Sequence, residues 1–508
     1  MDFVNTFWSL LPPIIAIGLA LITKEVYSSL FIGIVVGGLL YTNFSPVATM
    51  EHVFVDGMVG SLSDSWNVGI LIFLVILGGM VMLMNRAGGS AAFGRWSVEH
   101  VHTKVGAQLA TVALGMLIFI DDYFNCLTVG SVMRPLTDKH GISRAKLAYL
   151  IDATAAPVCI IAPISSWAAA VVGFVDGADG LALFTRAIPY NFYALLTLTM
   201  IITLSLAKFD YGPMRRAELS ERLGAGYPAQ KASITGAEEQ PEPPVSTRGK
   251  VIHLVLPIIL LIVFCVIGMI YTGGFFDGAS FVDAFSDSDA SVGLMYGSAI
   301  AMLLTIIFYL CTRVLTFKEC MSAIPDGFKS MVPAILILTF AWTLKAMTDS
   351  LGAADYVAGL VKQVADNNAL MSLLPAFVFA VACFLAFATG TSWGTFGILI
   401  PIVVDVFGGD LDNELMIIAI SACMAGAVFG DHCSPISDTT IMASAGAQCD
   451  HILHVSTQLP YTITVGLVCV VCYIFTGFIR SWVVCLPLSI LLMVVVLLVL
   501  RSVEANKN

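Results

Sequence analysis

Residues 429–440 read Phe-Gly-Asp-His-Cys-Ser-Pro-Ile-Ser-Asp-Thr-Thr inside an otherwise apolar stretch, 415–445. Carboxylates and hydroxyls are the side chains that hold a small cation or trade a proton. Here Asp431, His432, Ser434, Ser437, Asp438 and Thr439 crowd around Pro435. Proline cannot donate to a helix, so the break frees backbone carbonyls and amides that bind ions directly. A bilayer core hydrates neither backbone nor charge, so such a patch is costly unless it lines a cavity. The plainer reading is capping: Ser437, Thr439 or Thr440 accepts backbone N–H bonds after the break, each worth ~1 kcal/mol, and His432 bonds a neighbour. Both readings can hold together.

Three further groups share this character. Asp121, Asp122 and Asn125 follow the apolar run 105–120, and only about a dozen apolar residues separate them from Arg134 and Lys139. Two adjacent carboxylates at such a place point to cation or proton binding, or to one of them capping a helix arm. Thr389, Thr391, Ser392 and Thr395 stand in Thr-Gly-Thr-Ser-Trp-Gly-Thr, where hydroxyls and free helix-end groups can hold a small cation or a substrate carboxylate. Pro163, Ser165, Ser166 and Trp167 form a second proline break, with Asp152 upstream as a proton-relay candidate about two turns from Lys146. The same Gly390–Gly394 window matches a nucleophile-elbow pattern, but no strand-to-helix turn surrounds it, so a hydrolase is not expected. Cys469 and Cys472 sit mid-helix with no further ligands and read as packing cysteines rather than a metal site.

The elements that must position these residues follow from composition. The chain has 508 residues, 58% hydrophobic and 12% charged, with mean hydropathy +0.91. Soluble domains are about one-quarter charged, so the chain reads as an all-α polytopic membrane protein. Full or partial spans are expected near 6–22, 26–42, 67–85, 105–120, 146–174, 187–207, 250–272, 292–312, 330–348, 370–388, 415–445, 455–478 and 481–500. The N-terminus lacks a basic region and a small-residue cleavage site and reads as a retained first helix. No basic cluster suggests nucleic acid, and no P-loop suggests ATP-driven transport.

Segments recur at a nearly fixed offset. Pro163-Ile164-Ser165 precedes Pro435-Ile436-Ser437 by 272 residues, and Asp56-Gly57 precedes Asp326-Gly327 by 270. Loops 43–66 and 273–291 carry no Lys or Arg, whereas 208–250 carries seven. The positive-inside rule places the last in the cytoplasm and the first two outside. Segments 105–120 and 370–388 are followed by arms too short to cross and are expected to enter and return as re-entrant hairpins from opposite sides. With these assignments 20 of 24 Lys and Arg fall on the cytoplasmic side, the exceptions being Arg186, Lys345, Lys362 and Arg480. The expected organisation is a first inverted repeat at 1–208, a flexible cytoplasmic linker at 209–249, a second repeat at 250–478, and an extra C-terminal helix and tail at 479–508, with two Pro-broken helices meeting at the midplane. No Lys or Arg is expected at the midplane to pair with an anion.

The segments GDHCSPISDTTIMASAG (430–446), DHILHVSTQLPY (450–461), GTSWGT (390–395) and IDDYFNCLTVGSVMRP (120–135) resemble the Na+/H+ antiporter NhaC family of the ion transporter superfamily. The resemblance covers nearly the whole chain. It implies a bacterial cytoplasmic (inner) membrane location, a scaffold domain, a mobile transport domain with elevator movement, and a homodimer. The expected function is secondary Na+/H+ antiport. Na+ and H+ would be the coupling ions, with no other cofactor, competing for Asp122, Asp431 and Asp438. The alternative is a Na+- or H+-coupled carrier of a small organic acid or amino acid through the same pocket. The expected partners are the lipid bilayer, a small cation and, on the alternative reading, a small organic solute.

Overall fold

A computed structural model of the chain describes residues 3–505, apart from 24, 120–121, 164, 166, 168–170, 172–179, 223–245, 247, 282–283, 285–287, 354, 357–358, 360–370 and 409–412. Asp121, Ser166 and Lys362 lie outside the described residues. No strand occurs among those described. Among the described residues seven helices are long and apolar enough to cross a membrane, and Ala182–Tyr190 with Phe192–Ala207 passes the same test only as a pair bent by 47°. The chain is a multi-pass α-helical membrane protein.

The helices used below are α1 (Leu11–Thr23), α2 (Val26–Tyr41), α3 (Ser65–Arg86), α4 (Lys104–Leu117), α5 (Asp122–Lys139), α6 (Arg144–Asp152), α7 (Phe192–Ala207), α8 (Gly212–Arg222), α9 (Ile252–Thr272), α10 (Ala290–Cys311), α11 (Phe317–Ser350), α12 (Leu374–Thr389), α13 (Ser392–Val406), α14 (Glu414–Cys433), α15 (Asp438–Ala447), α16 (His451–Ile479) and α17 (Trp482–Ala505). Their starts follow local chemistry. The side chains of Thr103, Ser143 and Asp450 accept backbone N–H bonds at the heads of α4, α6 and α16, as N-caps do. Thr316 and Glu319 close a capping box, so α11 begins well before the expected span 330–348 and contains it.

Two groups of helices pack within themselves. In one, α2 lies on α1 and α11, α3 on α11 and α10, and α9 on α10. In the other, α12 and α13 pack on α14, α15 packs on α5 and α6, and α16 and α17 pack on α7. Close backbone approach seals the first group: a Cβ at Gly327 would stand 2.4 Å from the carbonyl of Gly78 on α3. Buried Arg86 closes the same pair of helices with an ion pair to Asp326 and a 2.6 Å bond to the Ser322 hydroxyl. The order of elements also repeats. Helices α4 and α12 begin at Lys104 and Leu374, α5 and α13 at Asp122 and Ser392, and α6 and α14 at Arg144 and Glu414, each pair 270 residues apart.

Two expected segments differ. The expected span 146–174 breaks early: α6 stops at Asp152, a turn follows, and Ala156–Cys159 forms one short helical turn opened by Pro157. The segment 209–249 is not wholly a flexible linker, because 212–222 folds as α8. That helix has a buried edge of Met214, Ala217 and Glu218. Glu218 pairs with Lys104 and accepts from the Ser143 backbone N–H at 2.8 Å, and Arg215 pairs with Glu504 at 2.7 Å. A short amphipathic helix becomes stable when its face is covered in this way.

Replacing Gly327 with Ala is expected to destabilise the protein by roughly 1–3 kcal/mol through overpacking against Gly78. Gly18→Ala on α1, where an added Cβ meets nothing within 4 Å, is expected to be neutral or stabilising by up to ~1 kcal/mol. Thermal unfolding in detergent checks the pair; equal midpoints would mean that α3 and α11 are not held by this contact.

Candidate functional site

The second break lies between α14 and α15. Helix α14 ends at Cys433, residues 434–437 turn, and Ser437 caps α15 by accepting from the Thr440 N–H at 3.4 Å. Asp431, on the last turn of α14, is 4% exposed. One of its carboxylate oxygens accepts from the Ser392 hydroxyl at 2.9 Å, and the other accepts from the Ser437 hydroxyl. The Thr439 hydroxyl lies 2.9 Å from that of Ser437. The first turn of α13 and the break of α14 thus meet on a single carboxylate. Ser434 instead donates to the Phe387 carbonyl at 2.8 Å and fastens the break to α12.

The tip between α12 and α13 is held against this break. Gly390 has φ +68°, and a Cβ there would stand 2.6 Å from the Ile436 carbonyl oxygen, so only glycine fits both the turn and the contact. The Thr389 hydroxyl donates to the Leu385 carbonyl at 2.9 Å, and that of Thr395 donates to the Thr391 carbonyl at 3.3 Å. Both satisfy their own backbone, the plainer of the two sequence readings. Thr391 faces a cavity.

The first hairpin and first break meet the same region. Asn125 holds its amide nitrogen within 2.7–3.0 Å of the carbonyls of Gly115, Ile118 and Thr154, tying the end of α4 to the turn after α6. This is the backbone-satisfying role. Asp122 opens α5 and is buried. The Ser165 hydroxyl donates to the Cys159 and Ala162 carbonyls at 2.8 and 3.0 Å. Trp167 packs on Trp393 and Phe396 of α13, with ring centroids 5.5 and 5.6 Å apart.

A cavity of about 630 Å³ lies between the two helix groups. Asp56, Asp64, Asp349 and Trp66 line it from the first group, and Tyr123, Thr391, Trp393 and Asp438 from the second. The Asp438 carboxylate accepts from Trp342 Nε1 at 3.2 Å and from the Tyr123 hydroxyl at 3.3 Å. The tryptophan bond crosses from one group to the other. Lys345 also lines the cavity, 2.6 Å from Asp349. The cavity thus carries one lysine beside its carboxylates. Lys345 lies one helical turn from Trp342 on α11, which turns it inward.

His432 points away from Asp431. Its Nδ1 lies 2.8 Å from the Tyr193 hydroxyl, and its Nε2 faces Asp152 at 4.0 Å. Asp152 is fully buried and accepts from Gln458 at 2.9 Å and from Thr440 at 3.1 Å. His454, Gln458, Tyr193, Tyr123 and Trp342 were not singled out from the sequence. A signal existed for two of them: His451, His454 and Gln458 are spaced by three and four on an apolar helix, which makes one polar face. Among the described residues no group of His, Cys, Asp and Glu is arranged to hold a tightly bound metal.

Comparison with known proteins agrees with this architecture. The family model described as the Na+/H+ antiporter family matches residues 158–478. A Haemophilus influenzae protein without a functional name is 36% identical over 503 residues, covering 95% of this chain and 93% of that one. A malate-2H(+)/Na(+)-lactate antiporter of Bacillus subtilis is 31% identical over 201 residues, 38% of this chain and 39% of that protein. An uncharacterized Na(+)/H(+) antiporter of Haemophilus influenzae is 31% identical over 165 residues, 32% and 33% of the two chains.

Gly390→Ala is expected to lower any transport activity by about tenfold or more, since left-handed strain alone costs ~1–2 kcal/mol and the added methyl pushes the tip off Ile436. Initial-rate assays on folded, reconstituted protein check this; an unchanged rate would show that the tip need not touch the break.

Proposed function

This chain belongs to the Na+/H+ antiporter family, and from that premise we propose that it exchanges Na+ for H+ at the Asp431 carboxylate. The observation that carries the proposal is the oxygen cluster: one buried carboxylate bonded by a hydroxyl from the second hairpin and another from the second break. Hydroxyls suit both states. They donate to the carboxylate when the site is empty, and they turn lone pairs to a cation when Na+ arrives. Na+ is held by the carboxylate with Ser392, Ser437 and Thr439. A proton on the carboxylate excludes it.

Strict exchange then follows from charge. The carboxylate is neutralised by Na+ or by H+, and bare it costs at least ~2.5–3.5 kcal/mol at membrane depth. Conformational crossing is restricted to the two neutral states, so each passage of Na+ one way requires a proton the other way. The acidic cavity walls, Asp56, Asp64 and Asp349, raise the local cation concentration. Asp438 is the second carboxylate on the route, and arriving Na+ displaces the donors Trp342 and Tyr123.

The two helix groups support an elevator-like cycle in which the group carrying Asp431 moves against the other. The Trp342–Asp438 bond and the packing of α11 on α15 would have to change in such a movement. The 270-residue recurrence of helix starts supports an inverted-repeat plan, with 208–250 facing the cytoplasm of a bacterial inner membrane. A cysteine placed at Ser220 is expected to react with a membrane-impermeant reagent only from the cytoplasmic side, and one at Asp277 only from the other. Labelling from the same side would end the inverted-repeat plan.

A second reading draws on the cavity. Its volume far exceeds that of a dehydrated ion, and a cavity lined by both Lys345 and Thr391 at the N-terminus of α13 suits a small organic carboxylate. The name of the Bacillus relative points the same way. Proteoliposomes with imposed gradients separate the two. Uptake of labelled Na+ driven by a pH gradient alone supports Na+/H+ exchange, whereas uptake that requires an added hydroxy acid supports the organic-acid reading.

Asp431→Asn keeps the shape and loses the charge, so gradient-driven Na+ uptake is expected to fall roughly a hundredfold, the equivalent of ~2.5–3.5 kcal/mol. In the unmodified protein the apparent Na+ affinity is expected to fall as pH falls, because protons occupy the same oxygens. Uptake within twofold in the variant, with pH-independent affinity, would make Asp431 structural.

A further inference from the structure

The hydrogen bonds around Ser444 determine where a proton must sit. His451 holds Nε2 2.7 Å from the Pro435 carbonyl oxygen, which can only accept, so Nε2 carries hydrogen. A neutral His451 then has a bare Nδ1, and its neighbour is the Ser444 hydroxyl at 3.0 Å. That hydroxyl has one hydrogen to give. The Thr440 carbonyl at 2.8 Å and Nδ1 of His451 compete for it, and neither use leaves a hydrogen for His454, so the hydroxyl accepts from His454, whose Nδ1 lies 2.8 Å away. The hydrogen of a neutral His454 is therefore on Nδ1, and its Nε2 is bare.

Bare Nε2 of His454 faces Asp152 Oδ2 at 3.7 Å. Both residues are at most 1% exposed. Neither His454 Nε2 nor Asp152 Oδ1 has a hydrogen-bond partner among the described residues. Two lone-pair acceptors turned toward each other in a dry interior repel, and leaving such groups unsatisfied costs about 1–3 kcal/mol each. One proton removes the conflict.

We propose that Asp152 and His454 form a proton-binding site of their own, separate from the Asp431 carboxylate, with His451 and Ser444 as the positioning residues that fix its tautomer. The proton bonds to Asp152 or to Nε2 of His454 and is shared between them, taking the pair from net −1 to neutral. The pair is linked to the break by His451, which reads the position of the Pro435 carbonyl. Movement of the break that withdraws this carbonyl frees His451 to flip its tautomer.

The neighbours are consistent with a single exchangeable proton. His432 Nε2 faces Asp152 from α14 at 4.0 Å, and the Tyr193 hydroxyl on α7 engages its other nitrogen. Tyr149 on α6 stacks on His432. Cys433 is buried on the same turn of α14. On α16, Tyr461 donates to Asp210 at 2.7 Å, and Asp210 is also paired with Lys146 at 2.6 Å. Lys146 sits 5.5 and 5.2 Å from the rings of Tyr149 and Tyr461. That charge is already paired, and the ring pair separates it from Asp152. Asp431 and Asp152 share Thr440, whose hydroxyl lies 3.4 Å from the Asp431 carbonyl and 3.1 Å from the Asp152 carboxylate.

Use of this proton in transport rests on the exchange reading above; its existence does not. Two measurements on the full-length purified protein separate them. In Na+-free detergent solution, Asp152→Asn is expected to take up about one proton per chain fewer than the unmodified protein between about pH 9 and about pH 5. His454→Gln is expected to move that step by about one pH unit or more. Identical titration curves for all three proteins would overturn the proposal. In proteoliposomes, both variants are expected to keep labelled Na+/Na+ self-exchange within about twofold and to keep pH-gradient-driven uptake through Asp431, with about one proton fewer moved per Na+. Equal loss of both activities in folded variants would make the pair part of the Asp431 site and also overturn it. Should the unmodified protein move no Na+, the exchange reading fails and the titration alone decides the proton site. His454→Gln provides the same test if Asp152→Asn does not fold.

Discussion

A bare carboxylate inside a low-dielectric helical bundle must be neutralised, and most of the second helix group is arranged around that constraint. Asp431 sits where two interrupted elements meet, and the interruptions supply the hydroxyls that bond it. The second break provides Ser437, and the second hairpin provides Ser392. Neither suffices alone: the break without the tip would leave one carboxylate oxygen unbonded. Gly390 is the hinge of this arrangement, since its missing side chain lets the tip backbone rest on Ile436.

The first half of the chain performs a complementary task. Asn125 ties the end of α4 and the turn after α6 together through backbone carbonyls that breaks would otherwise leave unsatisfied. Trp167 fills the space behind Trp393. Asn125 and Trp167 thus act as packing and backbone-satisfying groups. Between the two helix groups, Trp342 on Asp438 is the polar link across the cavity. It ties one group to a carboxylate of the other.

Much of this was legible in the sequence. Asp431, Ser437 and Ser392 stood out because polar residues beside a proline or glycine in a membrane span are expensive. The offset of 270 residues exposed the repeating order before any helix was placed. Three kinds of feature were not legible. Thr389 and Thr395 have the right chemistry, but their hydroxyls are taken by their own helices, a choice set by local backbone geometry. His432 lies one residue from Asp431, and helical rotation turns it to the opposite side, toward Asp152. Lys345 and Trp342 reach the cavity only through the packing of α11 on its neighbours, which no local pattern encodes. The polar face of α16 was present in the spacing of His451, His454 and Gln458, but its partner Asp152 lies about 300 residues away in sequence.

The central claim is that Na+ and H+ occupy the same oxygens of Asp431. Calorimetry of Na+ binding to the purified protein near neutral pH, repeated in buffers of differing ionisation heat, counts the protons released as the ion binds. Release of close to one proton per Na+, abolished in Asp431→Asn, is expected. Binding heats that do not depend on the buffer, with Na+ still bound at full affinity, would contradict shared occupancy.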